Sequence, residues 1–207
     1  MTNPTKTLYF AYGSNLSLTQ MASRCPTSTY HALAALRGWK WIIGERGYAN
    51  IVASPAEPTT ATAKSNFALR GKPLPPADEE ESAVEKEKRG DYVVGMLYYL
   101  EAADEASLDQ AEGVPYAYVK QKLDVDALDA RGKETGQRVQ ALVYVDMARM
   151  GTGVCKEEYV GRMNRGVRDA EGKGMSASYV DKYLRPFVRK EEVLGEVEDP
   201  FHLEKHD

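Results

Sequence analysis

The sequence predicts an α+β fold, a barrel-like and mostly antiparallel sheet flanked by few helices. Three observations predict it. Short runs with strand-type alternation dominate most of the chain, beginning with Leu8, Phe10 and Tyr12 on one face and Tyr9 and Ala11 on the other. One run, Asp91 to Leu100, is almost wholly apolar and aromatic, as suits a strand at the centre of a sheet. Helical periodicity is confined to short segments and to the last third, where Val160, Met163 and Val167 recur at helical spacing.

The elements follow in order. After the first strand Gly13-Ser14-Asn15 makes a turn, and Ser14, Asn15 or Ser17 can cap a helix starting at Leu18 that Cys25-Pro26 breaks. Tyr30 to Glu45 reads as one or two strands bent at Gly38, with Trp39 and Trp41 on a shared face. Tyr48 to Ala53 is a further short strand, stopped at Ser54-Pro55. The apolar run ending at Leu100 leads into a helix from Ala102 to Ala111, with Asp104 as its N-cap and Leu108 on its buried side. That helix ends at Glu112-Gly113, with Pro115 beyond. Tyr116 to Leu123 and Arg138 to Asp146 alternate as strands around the hairpin-like stretch Asp129 to Lys133. The helix with Val160 follows, and Ser176 caps a last segment holding Tyr179, Val180, Tyr183 and Leu184 before Pro186.

The 207 residues read as a single domain, and an apolar content of 43% with 28% charged residues is that of a soluble globular chain. A net charge of -4 offers no general attraction to nucleic acid or to an anionic membrane, so neither is expected as a partner. No apolar run reaches the ~18 residues that span a bilayer. Met1 to Lys6 carries no signal-peptide pattern, and a cytoplasmic location is expected. Two stretches fall outside the core: a surface insertion at about 57–90, rich in proline and in charge runs, and an acidic C-terminal tail from about 190.

Two places could carry chemistry. At the Gly13-Ser14-Asn15 turn, free backbone N–H groups favour a carboxylate or a polarised carbonyl, and Gly13 removes the side chain that would keep a ligand from the backbone. Taken alone, such a turn is first of all a capped strand-to-helix junction. Glu112 stands at a helix C-terminus, where the negative end of the macrodipole disfavours its ionised form, and partial burial would raise its pKa towards that of a useful general base. On spacing alone a solvated residue beside a capping glycine is the plainer reading, and Asp109 reads as an exposed carboxylate. Of the thirteen tyrosines, Tyr9, Tyr12, Tyr116, Tyr118 and Tyr144 fall on strands, where tyrosine is a core residue first. Cys25, Cys155, His31, His202 and His206 show no metal-ligand spacing. A nucleophilic Cys25 or Cys155 would need a histidine base, and only His31 is local.

Together, Tyr9-Phe10-Ala11-Tyr12-Gly13-Ser14-Asn15-Leu16 and Leu108-Asp109-Gln110-Ala111-Glu112-Gly113-Val114 resemble the two signatures of the γ-glutamylcyclotransferase family. The resemblance covers about Thr7 to Asp146 and extends to the helix beginning near Cys155, leaving out the insertion and the tail. It implies a small mixed, mostly antiparallel β-barrel flanked by helices, and cofactor-independent conversion of a γ-glutamyl compound to 5-oxoproline with release of an amine or amino acid. It also implies Glu112 as general acid and base, with Tyr9, Phe10, Ala11, Tyr12, Gly13, Ser14 and Asn15 binding the glutamyl moiety and Tyr118 and Tyr144 adding contacts. The implied partner is a small γ-glutamyl substrate, with a homodimer left open. Asn15-Leu16 stands where glutathione-specific relatives carry leucine after the serine, so glutathione is not the favoured substrate. Two other readings stay open: a non-catalytic binding module of the same fold that holds a small carboxylate or a partner's terminus, and a thiol hydrolase acting through Cys25.

Overall fold

The computed structural model describes residues 6–54 and 91–191. The insertion and the acidic tail, with His202 and His206, lie outside the described residues. β1 (Thr7–Ala11), β2 (Thr29–Arg37), β5 (Tyr92–Leu100), β6 (Val119–Leu128) and β7 (Glu134–Val145) close a barrel in the order β1-β5-β2-β6-β7. All neighbours are antiparallel except the closing pair, β1 with β7, which meet in parallel at Tyr9 and Leu142. The barrel is thus mixed and mostly antiparallel, as the sequence leads one to expect. β3 (Trp39–Ile43) and β4 (Ala49–Ala53) form a separate two-stranded hairpin beside it.

The apolar run of β5 lies between β1 and β2, and eight of its nine residues are buried because the sheet is covered on both faces. Gly95 in its middle permits the close approach of β1: a Cβ there would stand 2.4 Å from the Ala11 carbonyl oxygen and 2.7 Å from the Phe10 ring. Gly38, at φ 77°, turns the chain from β2 into β3, a backbone region open chiefly to glycine.

Among the described residues four helices cover the sheet: α1 (Leu18–Arg24), α2 (Ala102–Ala111), α3 (Glu157–Glu171) and the short α4 (Ala177–Tyr179), which runs on into a π-turn, Val180–Leu184. Ser17 and not Ser14 or Asn15 caps α1, its Oγ accepting the Gln20 N–H at 3.4 Å. Ser14–Leu16 instead form a 3₁₀ turn. Asp104 is not the N-cap of α2. That position belongs to Glu101, and Asp104 reaches back to accept the Glu101 N–H at 3.2 Å. β6 starts at Val119, so Tyr116 and Tyr118 precede the strand and Tyr12 lies just past β1, against the expectation that all three sit on strands. Among the described residues, no helix is long and apolar enough to cross a membrane.

Candidate active site

α3 locks the turn that follows β1. Tyr159 and Gly166 face it from two turns apart. The Tyr159 hydroxyl accepts the Ser14 N–H at 3.0 Å, and a Cβ at Gly166 would stand 2.9 Å from Leu16 Cβ. Asp169 completes the clasp, its Oδ2 accepting the Leu18 N–H at 2.9 Å and so satisfying an orphan donor of α1. Gly13 has an ordinary negative φ, -114°. Its missing side chain makes room for the Tyr159 hydroxyl, which a Cβ would approach to 2.8 Å.

The turn forms one wall of a cavity of about 300 Å³, and the end of α2 supplies the wall that carries Glu112. Asn15 joins the two: its Nδ2 donates to Glu112 Oε1 at 3.0 Å and to the Tyr9 hydroxyl at 2.9 Å. Asn15 is itself aimed by α1, since its Oδ1 accepts from Gln20 Nε2 at 2.7 Å and from Arg24 Nη1 at 3.3 Å. Gln20 Nε2 also donates to Ser14 Oγ at 2.8 Å. Arg24, 7% exposed, stands with Nη1 3.7 Å from Glu112 Oε1. Glu112, its side chain 16% exposed, is thus held in an ordered shell and is not the solvated residue that its spacing alone suggests.

Burial pushes the Glu112 carboxyl above its ordinary value, and this outweighs the opposing pull of Arg24, the Asn15 hydrogen bond, Arg162 and Arg46. Burial also lifts the hydroxyls of Tyr9, Tyr12 and Tyr118 well above the usual phenol range, leaving them neutral donors at physiological pH. Tyr118 donates to the Ala49 carbonyl at 2.9 Å, and Tyr12 to the Tyr144 carbonyl at 2.5 Å. The Tyr144 hydroxyl donates to Asp109 Oδ1 at 2.7 Å and is raised by burial and by that carboxylate. Asp109, read from sequence as exposed, is one-third exposed and anchors this cavity tyrosine, with Lys120 Nζ 2.9 Å from its other oxygen.

Of the residues expected at the site, Tyr9, Tyr12, Gly13, Ser14, Asn15, Glu112, Tyr118 and Tyr144 line the cavity. Phe10 and Ala11 do not. Both are wholly buried in the core beneath the loop, because β1 is covered on both faces. The Ser14 N–H, expected to meet a ligand, is taken up by Tyr159. Arg24, Arg46, Tyr48, Tyr159 and Arg162 also line the cavity without having been singled out from sequence. Arg162, on α3, is only 3% exposed and lies 5.0 Å over the Tyr159 ring. Its i+3 spacing from Tyr159 was the one available signal of a basic residue on the inner face of that helix.

Comparison with known proteins bears on the family and the fold. Residues 58–159 match the family described as gamma-glutamyl cyclotransferase, AIG2-like. The chain is similar to that family over this stretch. The matched stretch takes in Glu112, Tyr118, Tyr144 and Tyr159 and leaves out the Tyr9–Asn15 loop. A solved structure described as "Gamma-glutamyl cyclotransferase" superposes with a TM-score of 0.63 at 20% identity, over 95% of this chain and 96% of that one. An uncharacterized protein from Homo sapiens gives 0.62 at 21%, over 95% of each chain. YkqA from Bacillus subtilis gives 0.51 at 16%, over 79% of this chain and 48% of that one. At these identities the likeness is one of fold. No match is found among curated proteins.

Proposed function

We propose that this chain is a γ-glutamylcyclotransferase, releasing 5-oxoproline and an amine or amino acid from a γ-glutamyl substrate. The observation that carries the reading is the Asn15–Glu112 hydrogen bond, which sets a largely desolvated carboxylate of raised pKa against the Tyr12-Gly13-Ser14-Asn15 loop inside one cavity. In this reaction the substrate's α-amine attacks its own γ-carbonyl, so the new C–N bond closes a five-membered ring and the old amide C–N bond breaks. The enzyme must take a proton from the ammonium, hold the chain folded and return a proton to the leaving nitrogen. Glu112 performs both transfers. Its raised pKa suits it to the second, since a carboxyl that holds its proton more tightly is ready to give it to a nascent amine. Such acid–base help is typically worth ~10²–10⁴ in rate, and the closed geometry of the loop adds the positioning contribution.

Tyr9, Tyr12 and the loop atoms from Gly13 to Asn15 hold the glutamyl moiety, with Tyr118 and Tyr144 as further contacts. The Tyr159 hydroxyl takes the place at the wall expected for the Ser14 amide. A thiol route is disfavoured by the chemistry of its candidates: burial pushes the Cys25 thiol up to about 12 and the Cys155 thiol up to about 11, far from a thiolate at neutral pH.

The test is a panel of γ-glutamyl compounds, including glutathione, γ-glutamyl amino acids and a γ-glutamylamine, with 5-oxoproline followed by mass. Glu112→Gln should keep the wild-type circular dichroism and lose at least ~10²-fold in turnover, whereas Cys25→Ser should stay active. Wild-type turnover by Glu112→Gln would refute the assignment. A blank across the whole panel would leave the same cavity as a binding site for a small carboxylate.

A further inference from the structure

Among the described residues four large apolar side chains are exposed: Tyr116 at 88%, Met147 at 47%, Met150 at 39% and Val154 at 87%. All four stand on two loops, the one joining α2 to β6 and the one joining β7 to α3. Both loops are fastened to the turn between β3 and β4, whose Arg46 and Tyr48 line the cavity. The Gly153 N–H donates to the Ile43 carbonyl at 2.7 Å, and the Lys156 N–H to the Gly47 carbonyl at 3.1 Å. Arg149 Nη2 donates to the Tyr116 and Ala117 carbonyls at 3.1 and 3.2 Å, and Arg46 Nη2 to the Ala117 carbonyl at 3.3 Å. The backbone of this rim is therefore pinned while its apolar side chains stay in water, the pattern of a surface kept for a ligand.

The rim also carries two guanidinium groups, beside the Glu45 carboxylate that accepts the Gly151 N–H at 2.9 Å. Arg46 Nε and Arg149 Nε stand 3.0 and 2.8 Å from the same oxygen of Asp146, so two guanidinium groups share one carboxylate. The Tyr118 ring fixes Arg46 further, with Cζ 4.6 Å from its centroid. The cavity, at about 300 Å³, is at the lower end of the range of ~300–1,000 Å³ for small-molecule pockets. It suits one end of a substrate, and the rim adjoins it where Arg46, Tyr48 and Ala117 line the cavity.

Resting on the function proposed above, we propose that the rim is a subsite for the leaving half of the substrate, and that it takes an apolar amino acid or peptide. The carboxylate of the leaving amino acid pairs with Arg46, and its side chain lies against Tyr116, Met147 and Met150. A simple amine lacks the first contact and glycine lacks the second.

The experiment compares kcat/KM for γ-glutamylphenylalanine, γ-glutamylglycine and γ-glutamylphenethylamine. The wild type should prefer the phenylalanine conjugate to each of the others by about tenfold. Arg46→Gln should bring the phenylalanine-to-phenethylamine ratio near one, and Met147→Ser with Met150→Ser should bring the phenylalanine-to-glycine ratio near one. Each ratio is taken within one preparation, so a loss of folded protein cancels. Wild-type ratios near one, or ratios that neither variant moves, overturn the subsite alone, as does turnover of another γ-glutamyl compound with none of these three. A blank on every γ-glutamyl compound overturns the proposed function instead.

Discussion

Glu112 is a contest between burial and charge. Loss of water raises its pKa, and Arg24 with Nη1 3.7 Å away pulls it back without winning. Two pH effects follow from that balance. The acid limb of kcat/KM should lie above the ordinary carboxylate range, and Arg24→Gln should move it higher by removing the largest opposing charge, as a pH–rate profile would show. The folded protein also holds the Glu112 proton more tightly than the unfolded chain does. Above the unfolded value of about 4.5 its ionisation therefore costs stability, and the cost grows until the raised folded pKa is passed. Glu112→Gln should accordingly gain in Tm relative to the wild type on going from pH 4 to pH 7. A relative loss over that interval would show that the Arg24 pairing outweighs burial.

Among the elements, α3 decides where the loop after β1 lies. Replacing a helical glycine by alanine normally stabilises by about 1 kcal/mol. At Gly166 the sign should reverse, because the new Cβ would stand 2.9 Å from Leu16 Cβ and 3.2 Å from the Ser17 backbone nitrogen. Overpacking of this kind costs ~1–3 kcal/mol, so Gly166→Ala should unfold at lower denaturant and show a higher KM. Gly172→Ala, whose Cβ would meet no atom closer than 3.4 Å, is the control and should do neither. Local signals made much of this legible in advance: the Pro26 break and a serine cap bounded α1, and the apolar run marked β5. The clasp was not legible. Tyr159 shares the spacing of Val160, Met163 and Val167 and so reads as core, while Arg162 reads as part of a solvated face, and only packing against a turn some 145 residues earlier brings them to the cavity.

Over the whole molecule, the barrel separates residues that share a sequence signature. Tyr9 and Tyr12 reach the cavity, whereas Phe10 between them is wholly buried in the core. Phe10→Ala should therefore cost ~3–5 kcal/mol in chemical denaturation and leave the KM of the folded fraction unchanged. A raised KM with no loss of stability would return Phe10 to the site. The alternating strands were readable one by one, and the mostly antiparallel order followed from hairpin-like connections. The parallel seam between β1 and β7 is a contact between distant parts of the chain, with no local pattern to announce it. That seam bears on synthesis. A ribosome adding about 5–20 residues per second needs on the order of ten seconds between Thr7 and the end of β7. Until then the outer edge of β1 is an open template for pairing with other chains, and Tyr144 has not yet joined Tyr9. A nascent chain halted before β7 would be inert and prone to aggregate, and the last barrel strand delivers closure and one wall of the cavity together.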